Sequence, residues 1–246
     1  MTNQVPAIAF EHVTCRFEID EHGRTYTATQ DVSFTVADGE FLSVVGPTGC
    51  GKSTILNMAA GLLAPSEGCV RIFGRPVNGI DPDHRVGYMF QADSLMPWAT
   101  ALDNVTAGLR LHGMPKRDAD RLGMEWLARV GLDRFPDRYP HELSGGMRKR
   151  VAMAQTLITD PEVILMDESF SALDIQTRQL METELLDIWS AKKRAVLFIN
   201  TARLGAEAAA ELKANGVEIQ EYDDVLKFLA AETEPQTVLA ESATVN

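Results

Sequence analysis

The 246-residue chain is long enough to bury a sizeable core without disulfides or metals. Its 45% hydrophobic and 24% charged residues are ordinary for a globular protein and exclude general disorder, a collagen-like repeat and a membrane-spanning fold. A net charge of −12 argues against a nucleic-acid binder, because phosphate backbones are held by clustered Lys and Arg.

In chain order, strand-like runs come first: 7–17, 25–36, and 40–45 after the Asp38-Gly39 turn signal. Val45 leads into a glycine-rich loop and a helix over 52–62, stopped by Ala64-Pro65. Strands follow at 68–73 and 85–90. From Ala92 to about Glu142 the texture is helical, with Pro115 at a first helical turn and Leu122, Trp126, Leu127 and Val130 sharing one face. A further helix runs from 147 to 159, then strand 163–166, helix 175–189 and strand 195–200. The tail reads as helix 204–213, an Asn215-Gly216 turn, strand 217–222, helix 224–231 and a frayed end after Pro235. Strands alternating with helices predict an α/β core with a parallel sheet, interrupted by a helical insert.

Met1 to Gln4 show no basic stretch leading into an apolar one, so no secretory signal is expected, and no window reaches the roughly 18 apolar residues of a membrane span. The three cysteines, Cys15, Cys50 and Cys69, have neither an even count nor metal-site spacing. They read as reduced thiols of a soluble intracellular protein, with Cys15 and Cys69 as packing residues.

Gly46-Pro47-Thr48-Gly49-Cys50-Gly51-Lys52-Ser53-Thr54 fits the phosphate-loop pattern of Gly, four residues, Gly, Lys and Ser or Thr. The glycines let the backbone curl so that successive N–H groups face an anion, and the helix that follows adds the positive end of its dipole. Lys52 supplies a point charge for the outer phosphates, and Ser53 offers a hydroxyl to Mg²⁺. A nucleoside triphosphate is the expected ligand. Cys50, near Lys52 and a helix start, is either a thiol of lowered pKa or a small residue that fits.

Asp167 and Glu168 end an apolar strand, where acids need a cation or donor to face. Asp167 is expected on Mg²⁺ and Glu168 on the water attacking the terminal phosphate; the other reading is an N-cap for the next turn. Gln91, after the strand ending at Phe90, is placed to contact Mg²⁺ or that water.

Leu143-Ser144-Gly145-Gly146-Met147 reads as a serine cap and two glycines opening a second helix toward an anion. It resembles the signature motif of ATP-binding-cassette (ABC) ATPases, whose usual form ends in Gln. The Gln91 loop, the Asp167-Glu168 pair and a D-loop-like Ser171-Ala172-Leu173-Asp174 follow the family's order over roughly 7–200. Tyr88-Met89-Phe90-Gln91, Leu95-Met96-Pro97-Trp98 and Asp103-Asn104-Val105 look like the importer ATPases for nitrate, sulfonate, taurine and related small anions.

The resemblance implies a P-loop NTPase (RecA-like) α/β core, residues 1–91 and 160–246, with an N-terminal antiparallel β subdomain. Residues 92–159 form the α-helical signature insert, and 203–246 a divergent C-terminal segment of the core. It also implies head-to-tail pairing with a second ATP-binding subunit, a homodimer in the simplest case. Ser144, Gly145 and Gly146 of one copy then face ATP held by the other, and Asp174 of the D-loop-like run is counted among the ATP-binding residues. Transmembrane permease subunits, an extracytoplasmic substrate-binding protein and a peripheral place on the cytoplasmic face of the cell membrane follow from the same likeness. Phe17 or Tyr26 stacks on adenine, or is simply a strand residue. The chain departs from the family at Thr201, where a switch histidine is usual, at Ala202, where Asp is common, and at Ser169, where Pro is usual. Thr can hydrogen-bond a phosphate but offers no cation, so hydrolysis is expected to be slow with ATP binding intact; the competing account rests hydrolysis on Glu168 and leaves it nearly normal.

Overall fold

The structure, a computed structural model, describes residues 5–19, 24–45, 49, 51–80, 85–167, 189 and 192–200. Along the described chain run strands β1 (Ile8–Glu18), β2 (Thr25–Val36) and β3 (Phe41–Val45), helix α1 (Lys52–Ala59), and strands β4 (Glu67–Ile72), β5 (Arg75–Pro76) and β6 (Val86–Met89). Helices α2 (Ala101–Leu111), α3 (Lys116–Arg129) and α4 (Gly145–Leu157) follow, with a 3₁₀ turn at Pro140–Glu142 ahead of α4. Strands β7 (Val163–Asp167) and β8 (Ala195–Asn200) complete the described elements.

Two sheets form. One is antiparallel in the order β2-β1-β4-β5, the other parallel in the order β3-β8-β7-β6. The mixture of parallel and antiparallel sheets with helices is the P-loop NTPase pattern expected from the sequence. Parallel strands covered on both faces are apolar throughout rather than alternating. In β7, Val163 and Leu165 join the core shared with α1 and the antiparallel sheet, while Ile164 and Met166 join the core shared with α2, α3 and α4. β8 divides the same way, with Ala195, Leu197 and Ile199 to one side and Val196 and Phe198 to the other. One sheet thus separates two cores, and the three helices between β6 and β7 pack on its far side.

Several boundaries differ from expectation for local reasons. α1 ends at Ala59, short of the expected stop. Gly61 takes φ +71°, its N–H donates to Met58 O, and Leu62 N–H donates to Asn57 O. That left-handed cap satisfies the last carbonyls and closes the helix ahead of Pro65. Pro115 is the N-cap residue of α3, with ψ 140°, and the first helical turn begins at Lys116. α4 begins at Gly145, two residues before the expected Met147, because Ser144 is its cap. β5 is an addition to the expected strands; at two residues it is too short to carry a period. The shared face of α3 holds: Leu127 and Val130 are buried, and Leu122 and Trp126 pack half-buried against the same core. The expected helix over 175–189 (apart from Trp189) and every element after 200 lie outside the described residues.

Candidate functional site

The register of the parallel sheet brings the candidate residues to one edge. Met89 of β6 pairs with Met166 of β7, Asp167 with Ile199 of β8, and Val45 of β3 with Asn200. The carboxyl ends of four parallel strands are therefore level, which is where ligands bind in open α/β sheets. Gln91 follows β6 at this edge, Asp167 closes β7, and the glycine loop follows β3.

Of that loop, Gly49 and Gly51 are described; Gly46, Pro47, Thr48 and Cys50 lie outside. Gly49 has φ +84° and Gly51 φ +91°. At Gly51 the requirement is double, since an added Cβ would fall 2.2 Å from the Ala28 carbonyl oxygen and 2.9 Å from Thr29 Cγ2 on β2. Gly51 is also the N-cap of α1, so no side chain caps that helix, and its first turn carries no acidic residue. Lys52, the first helical residue, is only 5% exposed. The positive end of the α1 dipole is therefore met by no capping side chain and no acidic residue of its own first turn.

Ser53 Oγ donates to Asp167 Oδ1 at 3.2 Å, joining residues far apart in sequence. Asp167 is 8% exposed, whereas Ser53 is open to solvent. Two hard oxygen donors side by side, one buried and one at the mouth, suit Mg²⁺, which takes few protein ligands and fills its octahedron with water and phosphate oxygens. No cluster of three or more His, Cys, Asp or Glu that could hold a metal occurs among the described residues.

Tyr88, which the sequence offers only as part of the importer-like Tyr88-Met89-Phe90-Gln91 run, lies beside Asp167. Its hydroxyl donates to Asn57 Oδ1 of α1 at 3.1 Å. Burial first, then the charge of Asp167 and a hydrogen bond to it, push the phenol far above its ordinary value, so it stays a protonated donor beside that carboxylate. Neither Tyr88 nor Asn57 has a local sequence signal for this role; only the pairing of β6 with β7 and the packing of α1 reveal it.

The two aromatic candidates share a cross-strand position, Phe17 of β1 opposite Tyr26 of β2. Phe17 is 39% exposed and Tyr26 50%, and the Tyr26 hydroxyl donates to the Gly49 carbonyl at 3.3 Å. They form one exposed apolar step beside the glycine loop.

The second helix start is built differently. Ser144 Oγ accepts from Met147 N–H at 3.2 Å and caps α4. Leu143 is buried beneath it, while Ser144 and Gly145 are exposed and Gly146 half-buried. An added Cβ at Gly145 would meet only Arg148 Nη2, at 3.9 Å, so nothing described in this chain requires glycine there. The Met96 segment of the importer-like run is tied down by buried Asn104, which accepts from Met96 N–H at 2.7 Å and donates to Met96 O and Ala99 O. Glu168, Asp174 and Thr201 lie outside the described residues, as do Ser169 and Ala202.

Residues 29–171 match the family described as ABC transporter. An uncharacterized ABC transporter ATP-binding protein of Methanocaldococcus jannaschii is 47% identical over 77% of this chain and 69% of its own. The taurine import ATP-binding proteins TauB of Rhizobium johnstonii and of Pseudomonas aeruginosa are 44% and 41% identical, over 72% and 77% of this chain and 67% and 70% of theirs. Among solved structures, the ATP-binding cassette MJ0796 as a dimer in a post-hydrolysis state with ADP and Pi matches at TM-score 0.72 and 31% identity, covering 79% of this chain and 88% of that one. A second dimeric structure of that bacterial ABC transporter cassette matches at TM-score 0.74 and 29% identity, over 87% and 94%.

Proposed function

Because the chain belongs to the ABC transporter family, as an ATP-binding protein of the importer subfamily, we propose that it binds and hydrolyses ATP to energise a multi-subunit importer of a small anionic solute. One observation carries the reading. The α1 tip, with its left-handed glycines and buried lysine, opens beside the Ser53–Asp167 oxygen pair at the sheet edge.

In this reading the backbone N–H groups of 46–54 and the Lys52 ammonium hold the phosphates, and Phe17 or Tyr26 lies against adenine. Ser53, Asp167 and Gln91 would hold Mg²⁺, which when bound neutralises charge on the β- and γ-phosphates. Glu168 takes the proton of the attacking water. Within the chain we assign 1–91 and 160–246 to the core and 92–159 to the insert.

Two copies pair head to tail, so that Ser144, Gly145 and Gly146 of one meet the ATP held by the other, with Asp174 among the ATP-binding residues. The bare Gly145, which the described residues leave room to substitute, supports a tip shaped for close approach by something outside it. The solved relatives are dimers and the TauB relatives are import ATP-binding proteins, which supports a dimer working in an importer; permease subunits and an extracytoplasmic binding protein complete the proposed assembly. No described helix is long and apolar enough to cross a membrane; the proposed place is a peripheral one, on a permease at the cytoplasmic face.

With Glu168→Gln, which slows hydrolysis but not binding, Mg·ATP is expected to convert the monomer to a dimer in sedimentation velocity. A chain that stays monomeric under saturating Mg·ATP contradicts the reading. A second reading, a hydrolysis-impaired regulatory or asymmetric partner subunit, rests on Thr201 standing where the family carries histidine. Thr201→His should then raise turnover several-fold at unchanged ATP affinity; no gain in rate returns the weight to Glu168.

A further inference from the structure

Gln91 and the signature helix are separated by more than fifty positions, yet Asp93 joins them. Asp93 Oδ2 accepts from Arg148 Nε at 2.8 Å, and Oδ1 lies 3.3 Å from Lys149 Nζ. The same Lys149 ammonium donates to the Gln91 carbonyl. Arg148 Nη1 in turn donates at 2.8 Å to the carbonyl of Leu143, the residue immediately before the Ser144 cap. One carboxylate thus gathers two cations from the first turns of α4. Those cations grip the backbone on either side: Gln91 in one direction, the lead-in to Ser144 in the other.

The arrangement is a costly way to obtain stability. The Lys149 side chain is 6% exposed and that of Asp93 24%, and burying charges of opposite sign returns little net free energy even when they pair well. What such an arrangement supplies is geometry: the Arg148 hydrogen bond orients the carboxylate, and the Lys149 ion pair on its other oxygen narrows the placements it can take. The Arg148–Leu143 bond extends that placement to the helix cap itself.

We propose that Asp93 is a positioning residue for the reaction. Through Lys149 and Arg148 it sets the Ser144 tip at a fixed offset from Gln91, so that the loop sensing this chain's own ATP also aims the tip at the partner's ATP. The inference rests on the head-to-tail reading above. It adds a residue that touches neither nucleotide nor partner and acts only through the two that do. Loosening it leaves each half of the site intact but no longer held in register.

The test uses the full chain carrying Glu168→Gln, alone and combined with Asp93→Asn or Asp93→Glu. Three quantities are measured: ATP affinity of the monomer by equilibrium titration without Mg²⁺, melting temperature, and the Mg·ATP concentration for half-maximal dimerisation. Asp93→Asn should leave monomer affinity within about twofold and raise the dimerisation midpoint on the order of tenfold, with Asp93→Glu recovering most of the loss. A midpoint equal to the parent's overturns the proposal. So does a rise matched by an equal loss of monomer affinity and melting temperature, which a merely structural pair would give. If the Glu168→Gln parent itself never dimerises, the functional reading fails first and takes this inference with it.

Discussion

The starts of α1 and α4 are both aimed at phosphate in this account, and they are built in opposite ways. At α1 the cap is a glycine in left-handed conformation, jammed against β2, with a buried lysine behind it. At α4 the cap is a serine side chain, exposed, followed by a glycine with open space around its missing Cβ. The first tip is shaped by β2 of its own chain. The second meets no such neighbour among the described residues, which suits the proposed approach of a second copy.

Exchanging glycine for alanine at the two tips separates them most sharply. Gly51→Ala forces a positive φ and a backbone collision, so unfolding free energy should fall by about 3 kcal/mol in denaturant titration, with ATP binding lost. Gly145→Ala should leave stability unchanged or raise it by up to about 1 kcal/mol, since Ala is the better helix residue, while weakening ATP-driven dimerisation. Equal destabilisation at both positions would erase the distinction. A smaller effect is expected at Tyr88, whose hydroxyl meets Asn57 of α1. Tyr88→Phe should cost about 1 kcal/mol of stability and weaken Mg²⁺ dependence of turnover, with the effect constant from pH 6 to 9 because the phenol stays protonated throughout.

The smallest effect belongs to the lead-in of α4. Donation from the Tyr139 backbone N–H, then the Arg138 guanidinium, holds the Glu142 carboxyl below its ordinary range. A depressed carboxylate contributes stability above its unfolded pKa and loses it as pH falls through its folded one. The melting difference between the parent and Glu142→Gln should therefore be present at neutral pH and shrink as the pH falls below the ordinary glutamate value of about 4.3.

The same contrast separates what is legible in the sequence from what only the fold reveals. The glycine loop, Ser53, Asp167 and the Ser144 cap announce themselves because each is a local pattern with a local cause: a tight turn, a strand end, a helix start. The apolar runs of β7 and β8 likewise declare a sheet buried on both faces. Tyr88 and Asp93 stay hidden because their partners come from other elements, Asn57 on α1 and Arg148 and Lys149 on α4, and no period or spacing links them. The end of α1 escapes a sequence reading for a subtler reason: Pro65 looks like the stop, but the carbonyls are already satisfied at Gly61.

The most direct test mixes two defective chains in the Glu168→Gln background. Lys52→Ala removes the holding charge from the α1 tip. Ser144→Asp keeps a good helix cap but sets a negative charge where the partner's γ-phosphate should arrive. Each variant alone spoils both composite sites, whereas one copy of each leaves one site whole and concentrates both defects in the other. Sedimentation with Mg·ATP should find monomers for either variant alone and dimers with a single bound nucleotide for the mixture. A mixture that remains as monomeric as its components contradicts the pairing of one chain's loop with the other chain's serine tip.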